Sequence, residues 1–420
     1  LAVNAEEETR ATILFEMLPF LPEPALEECL SVVLDMEDGY WRANVLEQLG
    51  PLLPEALLRK ALTLAEGEAE SDVWQAHTLI GLLPRLAQLG FWREALSEAR
   101  AISEHFHRSL ILAMIVEHLP VLERQSVAKE ALAAVKDVSD EDKQVQTLAA
   151  LTSNLDGEPL EQALAIAQAM TNEYWRSQAL IVLSPYLLES GLREALSAAR
   201  EIEYEPWRAE ALRRLTLRLA GLGCPEEAST LALDIQDDCH RSRALIDLFP
   251  HLPPEGQDQI VAKVLETAET IDDARDRAGI LTALIPNLKG AMEEQAILDA
   301  WNAARRIQDG RHRALALAEL ARCCSEQRQI LWETLVAAWK IETIDGQEEV
   351  LRRLSLLLSE CPAPAAYSLL QEALPTLAVL SRKDILSALL TIAPLIARLG
   401  GFESTVEVFH AIQDVGRWWP

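Results

Sequence analysis

A basic or amide side chain recurs along this chain at Arg10, Arg42, Gln75, Arg108, Gln144, Arg176, Arg208, Arg241, Arg277, Arg313, Gln347 and Arg382, at intervals of 32 to 36 residues. Four residues after each lies a leucine: Leu14, Leu46, Leu79, Leu112, Leu148, Leu180, Leu212, Leu245, Leu281, Leu317, Leu351 and Leu386. Six residues before it an apolar residue usually stands, as at Ile102, Val138, Met170, Ile202, Ile235, Ile271, Ile307 and Ile341. An unbroken run of leucine at that register is not a chance pattern. A period of this length means one small supersecondary unit copied many times, each burying its apolar face only against its neighbours.

Within a repeat the apolar positions follow helical spacing twice. The first stretch reads Arg-x-x-x-Leu-x-x-Leu. The second reads Glu-Ala-Leu-x-x-Ala-x-x-Ile, clearest from Glu94 to Ile102 and from Glu194 to Ile202. Between them lie breakers such as Gly90, Gly191, Gly223-Cys224-Pro225 and Gly400-Gly401. No period-2 strand pattern is present. Half of the residues are hydrophobic but only 5% are aromatic, and this Leu- and Ala-rich load favours helix over strand. The expected fold is therefore all-α, a single array over 1–420 of about twelve antiparallel helix pairs.

These residues resemble the tetratricopeptide repeat. In the unit from Trp175, Leu180, Leu183, Ser184 and Leu187 fall where that family has its large, large, small and large first-helix positions. Gly191 matches its inter-helix turn, Ala195, Ala199 and Ile202 its second-helix packing positions, and Pro206 lies near its terminal proline. The segment 87–102 is similar. The resemblance covers essentially the whole chain and implies a right-handed α-solenoid with a long concave face. Its aromatic positions are mostly replaced here by Leu and Ala, and the turns at Asp156-Gly157-Glu158-Pro159 and around Cys361-Pro362 are altered. HEAT-like arrays are the nearest alternative. The Arg-Ala-x-Ala-Leu flavour is similar to repeat regions of bacterial STAND-type signalling NTPases and caspase-like proteases. That likeness implies a sensor or autoinhibitory module of a larger signalling or defence protein as a second functional reading.

Proline recurs five residues after the repeat leucine, at Pro19, Pro51, Pro84, Pro185, Pro250 and Pro286. A proline inside a helix removes one hydrogen bond and clashes with the preceding turn. A bend or early end of the first helix is expected there, with a carbonyl left free.

The arginine row has two readings. As a structural device it ties adjacent repeats through carboxylates and helix-end carbonyls, and repetition along the whole array favours this. As a functional device it presents guanidinium groups to an acidic ligand. The residue before it is Trp41, Trp74, Trp175 or Trp207 in four repeats and His107, His240 or His312 in three. These rings either staple neighbouring repeats or offer a partner-binding row. The candidate contact residues are Trp41, Arg42, Trp175, Arg176, Trp207, Arg208, His240 and Arg241.

The chain carries 66 acidic against 38 basic residues, a formal net charge of -28. Such a field repels a phosphate backbone, and no Lys or Arg run offsets it, so nucleic-acid binding is not expected. A protein or peptide partner with a basic segment fits better. No phosphate-binding glycine loop, HExxH or GxSxG motif is present. His105, His107 and His118 are the closest approach to a metal cluster and lack acidic or thiol partners at ligand spacing. The first functional reading is a non-catalytic scaffold that binds its partner along the concave face, with no cofactor or metal; an enzyme with a site in that groove is the third reading. The six cysteines form no CxxC pair, and no stretch approaches a membrane span or a secretory signal, so a cytoplasmic, non-membrane protein is expected. The chain opens on Leu1 rather than methionine, which suggests a piece of a longer protein. Its last residues, through Trp418 and Trp419, read as a thirteenth repeat that stops.

Overall fold

The computed structural model describes residues 2–66, 72–324, 328–341 and 344–373, with scattered positions beyond. Among the described residues every regular element is helical. The chain is an all-α repeat array, as its periodicity requires. Its twelfth repeat marker, Arg382 with Leu386, and the terminal Trp418 and Trp419 lie outside the described residues, as does most of the acidic stretch from Glu66 to Asp72.

Contacts divide the chain into two compact units, Leu1–Cys224 and Pro225–Pro420. The first holds α1 (Ala2–Met17), α2 (Ala25–Leu34), α3 (Gly39–Leu49), α4 (Glu55–Glu66), α5 (Asp72–Leu86), α6 (Trp92–Ala101) and α7 (His105–Val116). It continues with α8 (Val121–Val135), α9 (Glu141–Leu151), α10 (Gly157–Ala169), α11 (Glu173–Leu183), α12 (Glu189–Arg200) and α13 (Glu205–Gly221). The second holds α14 (Pro225–Leu233), α15 (Asp238–Leu248), α16 (Pro254–Thr270), α17 (Ala274–Leu284) and α18 (Ala291–Arg306). It continues with α19 (Gly310–Cys323), α20 (Arg328–Trp339), α21 (Ile344–Glu360) and α22 (Ala363–Ala373).

In each unit the odd-numbered helices carry the repeat leucine and pack on one another in sequence: α3 on α5, α5 on α7, and so on to α13, then α15 on α17 through α21. The even-numbered helices form a second layer against them. The repeat leucines from Leu46 to Leu351 are all buried. Burying one leucine stabilises the fold by about 1.5–3 kcal/mol, so this row is the spine of the core.

Five of the six recurring prolines end the first helix early. Pro19, Pro51, Pro185, Pro250 and Pro286 each sit in a three-residue 3-10 turn directly after an odd helix. Thr152–Asn154 makes the same turn without proline. Pro84 is the exception: α5 runs through it to Leu86 and then widens into a π turn, Ala87–Phe91, with Gly90 at φ 98°. Gly191, expected at the inter-helix turn, lies inside α12. The chain has already reversed at Pro185, so the glycine falls in the first helical turn and packs beside Leu164 of α10.

After each 3-10 turn one leucine adopts extended geometry, as Leu53, Leu155, Leu187 and Leu288 do. The side chains of these four are buried, and those of Leu21 and Leu252 half-buried. At two of these turns a side chain of the next repeat takes up the carbonyl: Arg85 Nε donates to Leu53 O and Arg218 Nε to Leu187 O, both at 3.0 Å. At those two turns the freed carbonyl is a tie between repeats.

The end of α3, with the 3-10 turn that follows it, lies close against α5, and glycine replaces a side chain on both sides. A Cβ on Gly50 would lie 2.5 Å from Gly81 O, and one on Gly81 would lie 2.6 Å from Glu47 Cα. Backbone meets backbone there, and nothing flexible can yield. Gly81→Ala should therefore lower the urea midpoint followed by circular dichroism, by about 1–3 kcal/mol of overpacking cost or more. An unchanged midpoint would mean that α3 and α5 separate freely.

Candidate partner-binding surface

The residues around each repeat arginine form the first turn of an odd helix, and most of their polar groups serve that turn. Four residues before the arginine stands the N-cap. Asp38, Asn172, Asp237, Asp273 and Asp309 each accept a hydrogen bond from a first-turn N–H, and Glu104 does the same for His107 N at 2.7 Å. These side chains satisfy donors that no helical carbonyl can reach. The histidine row belongs to the same caps. His107 Nδ1 and His240 Nδ1 lie 2.6 Å from Glu104 and Asp237, and His312 Nδ1 lies 2.9 Å from Asp309.

The arginines themselves reach backwards. Arg108, Arg176, Arg208, Arg241 and Arg313 donate through Nη1 to the carbonyl six residues earlier, at 3.2, 3.4, 2.9, 2.9 and 3.1 Å. Arg42 makes the same bond to Met36 O. Gln144 replaces it with Nε2 on Val138 O at 2.7 Å. Each accepting carbonyl closes the even helix of the preceding repeat. Arg208 and Arg241 also pair with Glu205 and Asp238 in the same turn.

A second tie runs the other way. The carboxylate three residues before the marker clamps the start of the next odd helix. Glu7 accepts from Glu37 N and Asp38 N, both at 2.7 Å. Glu141 accepts from Thr171 N and Asn172 N at 2.7 and 3.0 Å, and Glu173 from Glu203 N and Tyr204 N at 2.9 and 3.1 Å. Two backbone N–H donors hold the Glu173 carboxyl below the usual range. The His312 N–H does the same for Asp309. Burial opposes this at Glu104 and Asp237, but the N–H donors of the first turn outweigh it, and both are also lowered.

Among the described residues the ring–ring contacts form two strips, both in the first unit. Tyr40 touches Trp41 and, on the next repeat, Trp74, with ring centroids 4.9 and 5.4 Å apart. The strip continues through His77 and His107 to Phe106. In the second strip Tyr174 touches Trp175 at 4.7 Å and Trp207 at 5.3 Å, and Tyr204 touches Trp207 at 4.5 Å. Ser177 Oγ donates to Trp207 O at 3.0 Å, tying the same two helices. Trp41, Trp175 and Trp207 are half-buried, as are Arg42, Arg176, Arg208, His240 and Arg241. The outer ring of each strip is a tyrosine: Tyr40 is 43%, Tyr174 37% and Tyr204 52% exposed.

Of the sequence candidates, the structure joins Trp175 and Trp207 in one strip and places Trp41 in the other. His240 and Arg241 lie in the second unit on their own cap. The three tyrosines were absent from the candidate list, although Tyr40-Trp41 and Tyr174-Trp175 stand as adjacent pairs in the sequence. Four rings carry a cation of the chain itself: Phe91 under Arg59, Trp92 under Arg93, Phe106 under Lys143 and Trp301 under Arg305. Among the described residues no such cation covers Tyr40, Tyr174 or Tyr204.

Nucleophile chemistry is poorly served by the thiols. Burial pushes Cys239 up to about 12 and Cys324 up to about 11. Among the described residues no group of three or more His, Cys, Asp or Glu is placed to hold a metal ion, and no helix is long and apolar enough to cross a membrane.

No family model and no curated protein matches the chain. Among solved structures, it aligns with the crystal structure of Ton1535 from Thermococcus onnurineus NA1 at 14% identity and a TM-score of 0.27, over 83% of this chain and 99% of that one. It also aligns with a circular tandem repeat protein with novel repeat topology and enhanced subunit contact surfaces, at 16% identity and a TM-score of 0.20, over 97% of this chain and 96% of that one. Likeness at this level carries no argument, and the fold rests on the helices described above.

Two predictions follow from the ties. Arg313→Ala should cost about 1–3 kcal/mol by leaving the Ile307 carbonyl without its charged donor, whereas Arg313→Gln should retain most of that, since Gln144 already makes the same bond. Equal losses in a urea titration would exclude the carbonyl tie. The second concerns acid. Because Glu104, Glu173, Asp237 and Asp309 are lowered in the folded state, the unfolded chain binds more protons below neutrality. Their contribution is complete above the unfolded carboxylate value of about 4 and is lost as pH falls through the lower folded values. The melting midpoint should drop between about pH 5 and pH 3, and Glu173→Gln should flatten part of that slope.

Proposed function

We propose that this chain is a non-catalytic interaction array whose first unit holds a protein or peptide partner on its tyrosine–tryptophan strips. The observation that carries this reading is the placement of Tyr40, Tyr174 and Tyr204, each exposed and each resting on a half-buried tryptophan. A rigid aromatic base with an accessible ring loses little entropy on binding, and tyrosine and tryptophan dominate the binding energy of known interfaces. The excess of acid over base favours a partner segment rich in Lys or Arg, whose cations find uncovered ring faces at the three tyrosines. Trp41, Trp175 and Trp207 act in this reading as the floor of the surface. Arg42, Arg176 and Arg208 hold its frame, and contact with the partner belongs to whichever of their faces the ties leave open; His240 and Arg241, in the second unit, are outside this surface. Tetratricopeptide-type descent, a cytoplasmic setting and a role in bacterial signalling or defence are parts of the same proposal.

Selection from a random peptide display library against the whole protein at low salt tests it. The expected outcome is enrichment of basic peptides whose affinity falls by about 1–3 kcal/mol in a Tyr174→Ala/Tyr204→Ala variant with an unchanged melting curve. Failure to enrich any sequence, or binding that ignores both tyrosines, would overturn the assignment of this surface.

A further inference from the structure

Among the described arginines between Arg42 and Arg313 the row of ties breaks at Arg277, and a polar recess opens there. Arg241 and Arg313, on the repeats either side, close onto the carbonyls of Ile235 and Ile307. By the same register Arg277 should close onto Ile271 O. It makes no such bond, and its guanidinium has no hydrogen-bond or ion-pair partner among the described residues. Ile271 is only half-buried, whereas Ile202, Ile235 and Ile307 are buried. Arg277 instead lines a recess of about 480 Å³ between the end of α16, the first turn of α17 and one face of α18. Asp299, Asn302 and Arg306 project from that face at i, i+3 and i+7, the spacing that aligns side chains along a helix. Arg306 likewise has no side-chain partner among the described residues. Glu269 and Asp272 stand on the opposite wall, and Arg305, already paired with Glu333 at 3.1 Å, also lines the recess.

We infer that this recess binds a small zwitterion of the amino-acid type. Two unpaired guanidinium groups facing one space suit a carboxylate, which guanidinium binds through two parallel hydrogen bonds. The three carboxylates around them suit an ammonium group on the same molecule, and Asn302 supplies both a donor and an acceptor. Asp299 is partly occupied, accepting from Gln295 Nε2 at 3.1 Å, so Glu269 and Asp272 are the principal ammonium partners. A net anion would meet the repulsion of a chain at -28, while a zwitterion approaches without it. The volume lies in the range of small-molecule sites and exceeds that of a single amino acid, leaving room for its side chain. The tie that every neighbouring repeat uses for cohesion is here released, and the released arginine is the anchor.

Isothermal titration of the full chain with each proteinogenic L-amino acid at millimolar concentration, beside acetate, inorganic phosphate and methylammonium, tests this. Saturable one-site heat is expected for at least one amino acid and for none of the three single-charge probes. Affinity should fall roughly tenfold or more in Arg306→Ala, whose exposed side chain can be removed without loss of fold, and in Arg277→Ala. A matching melting curve for Arg306→Ala secures the comparison. The inference is overturned by silence from every amino acid, by acetate or phosphate binding as tightly, or by undiminished binding in the folded Arg306→Ala protein.

Discussion

The even helices of this protein end in carbonyl groups that their own residues cannot satisfy, and at seven of the described repeats the donor that reaches them comes from the next repeat. That bond, from Arg108 to Ile102 or Arg208 to Ile202, sets the distance and angle between consecutive repeats. The return clamp from Glu141 or Glu173 to the next N–H pair works in the opposite sense along the chain. Apolar burial supplies most of the energy of such a fold but is non-directional, and leucine rows can slide over one another. The charge-assisted bonds choose one register. Once it is chosen, the repeat leucines meet, Gly50 meets Gly81, and Tyr174 meets Trp207.

This division of labour explains how a repeat frame leaves room for function. The positions at the marker and at four and three residues before it are engaged in caps and ties in most repeats. The tyrosines two residues before the marker, Tyr40 and Tyr174, are not needed for them. Surface chemistry can vary at such positions without disturbing the register. The reverse also holds: where the tie itself is missing, as at Arg277, the repeat gives up part of its cohesion and gains a polar recess.

The fold was largely legible in the sequence because its cause is local and periodic. The leucine four after the marker, the apolar residue six before it and the proline five after the leucine each name a position in a helix pair. Pro84 and Gly191 show where local rules stop. Pro84 stands within α5, which widens into a π turn only after it, and Gly191 is helical because the chain turned earlier. Neither event is set by the residue concerned. The surface was legible only in part. Tryptophan and arginine in a row could be read as cohesion or as recognition, since the same side chains serve both.

The sequence by itself determined the helical period, the pairing of helices and the identity of the groups available at each first turn, because these depend on spacing along one chain. It could not determine where a guanidinium six bonds from its backbone would come to rest. Only the tertiary structure decided that, by bringing a helix-end carbonyl within reach of Arg241 and Arg313 and leaving Arg277 beside α18. It decided likewise that Tyr40, Tyr174 and Tyr204 stand outermost on the aromatic strips. Exposure is a property of the packed neighbours, and a sequence pattern names the residue without naming what will cover it.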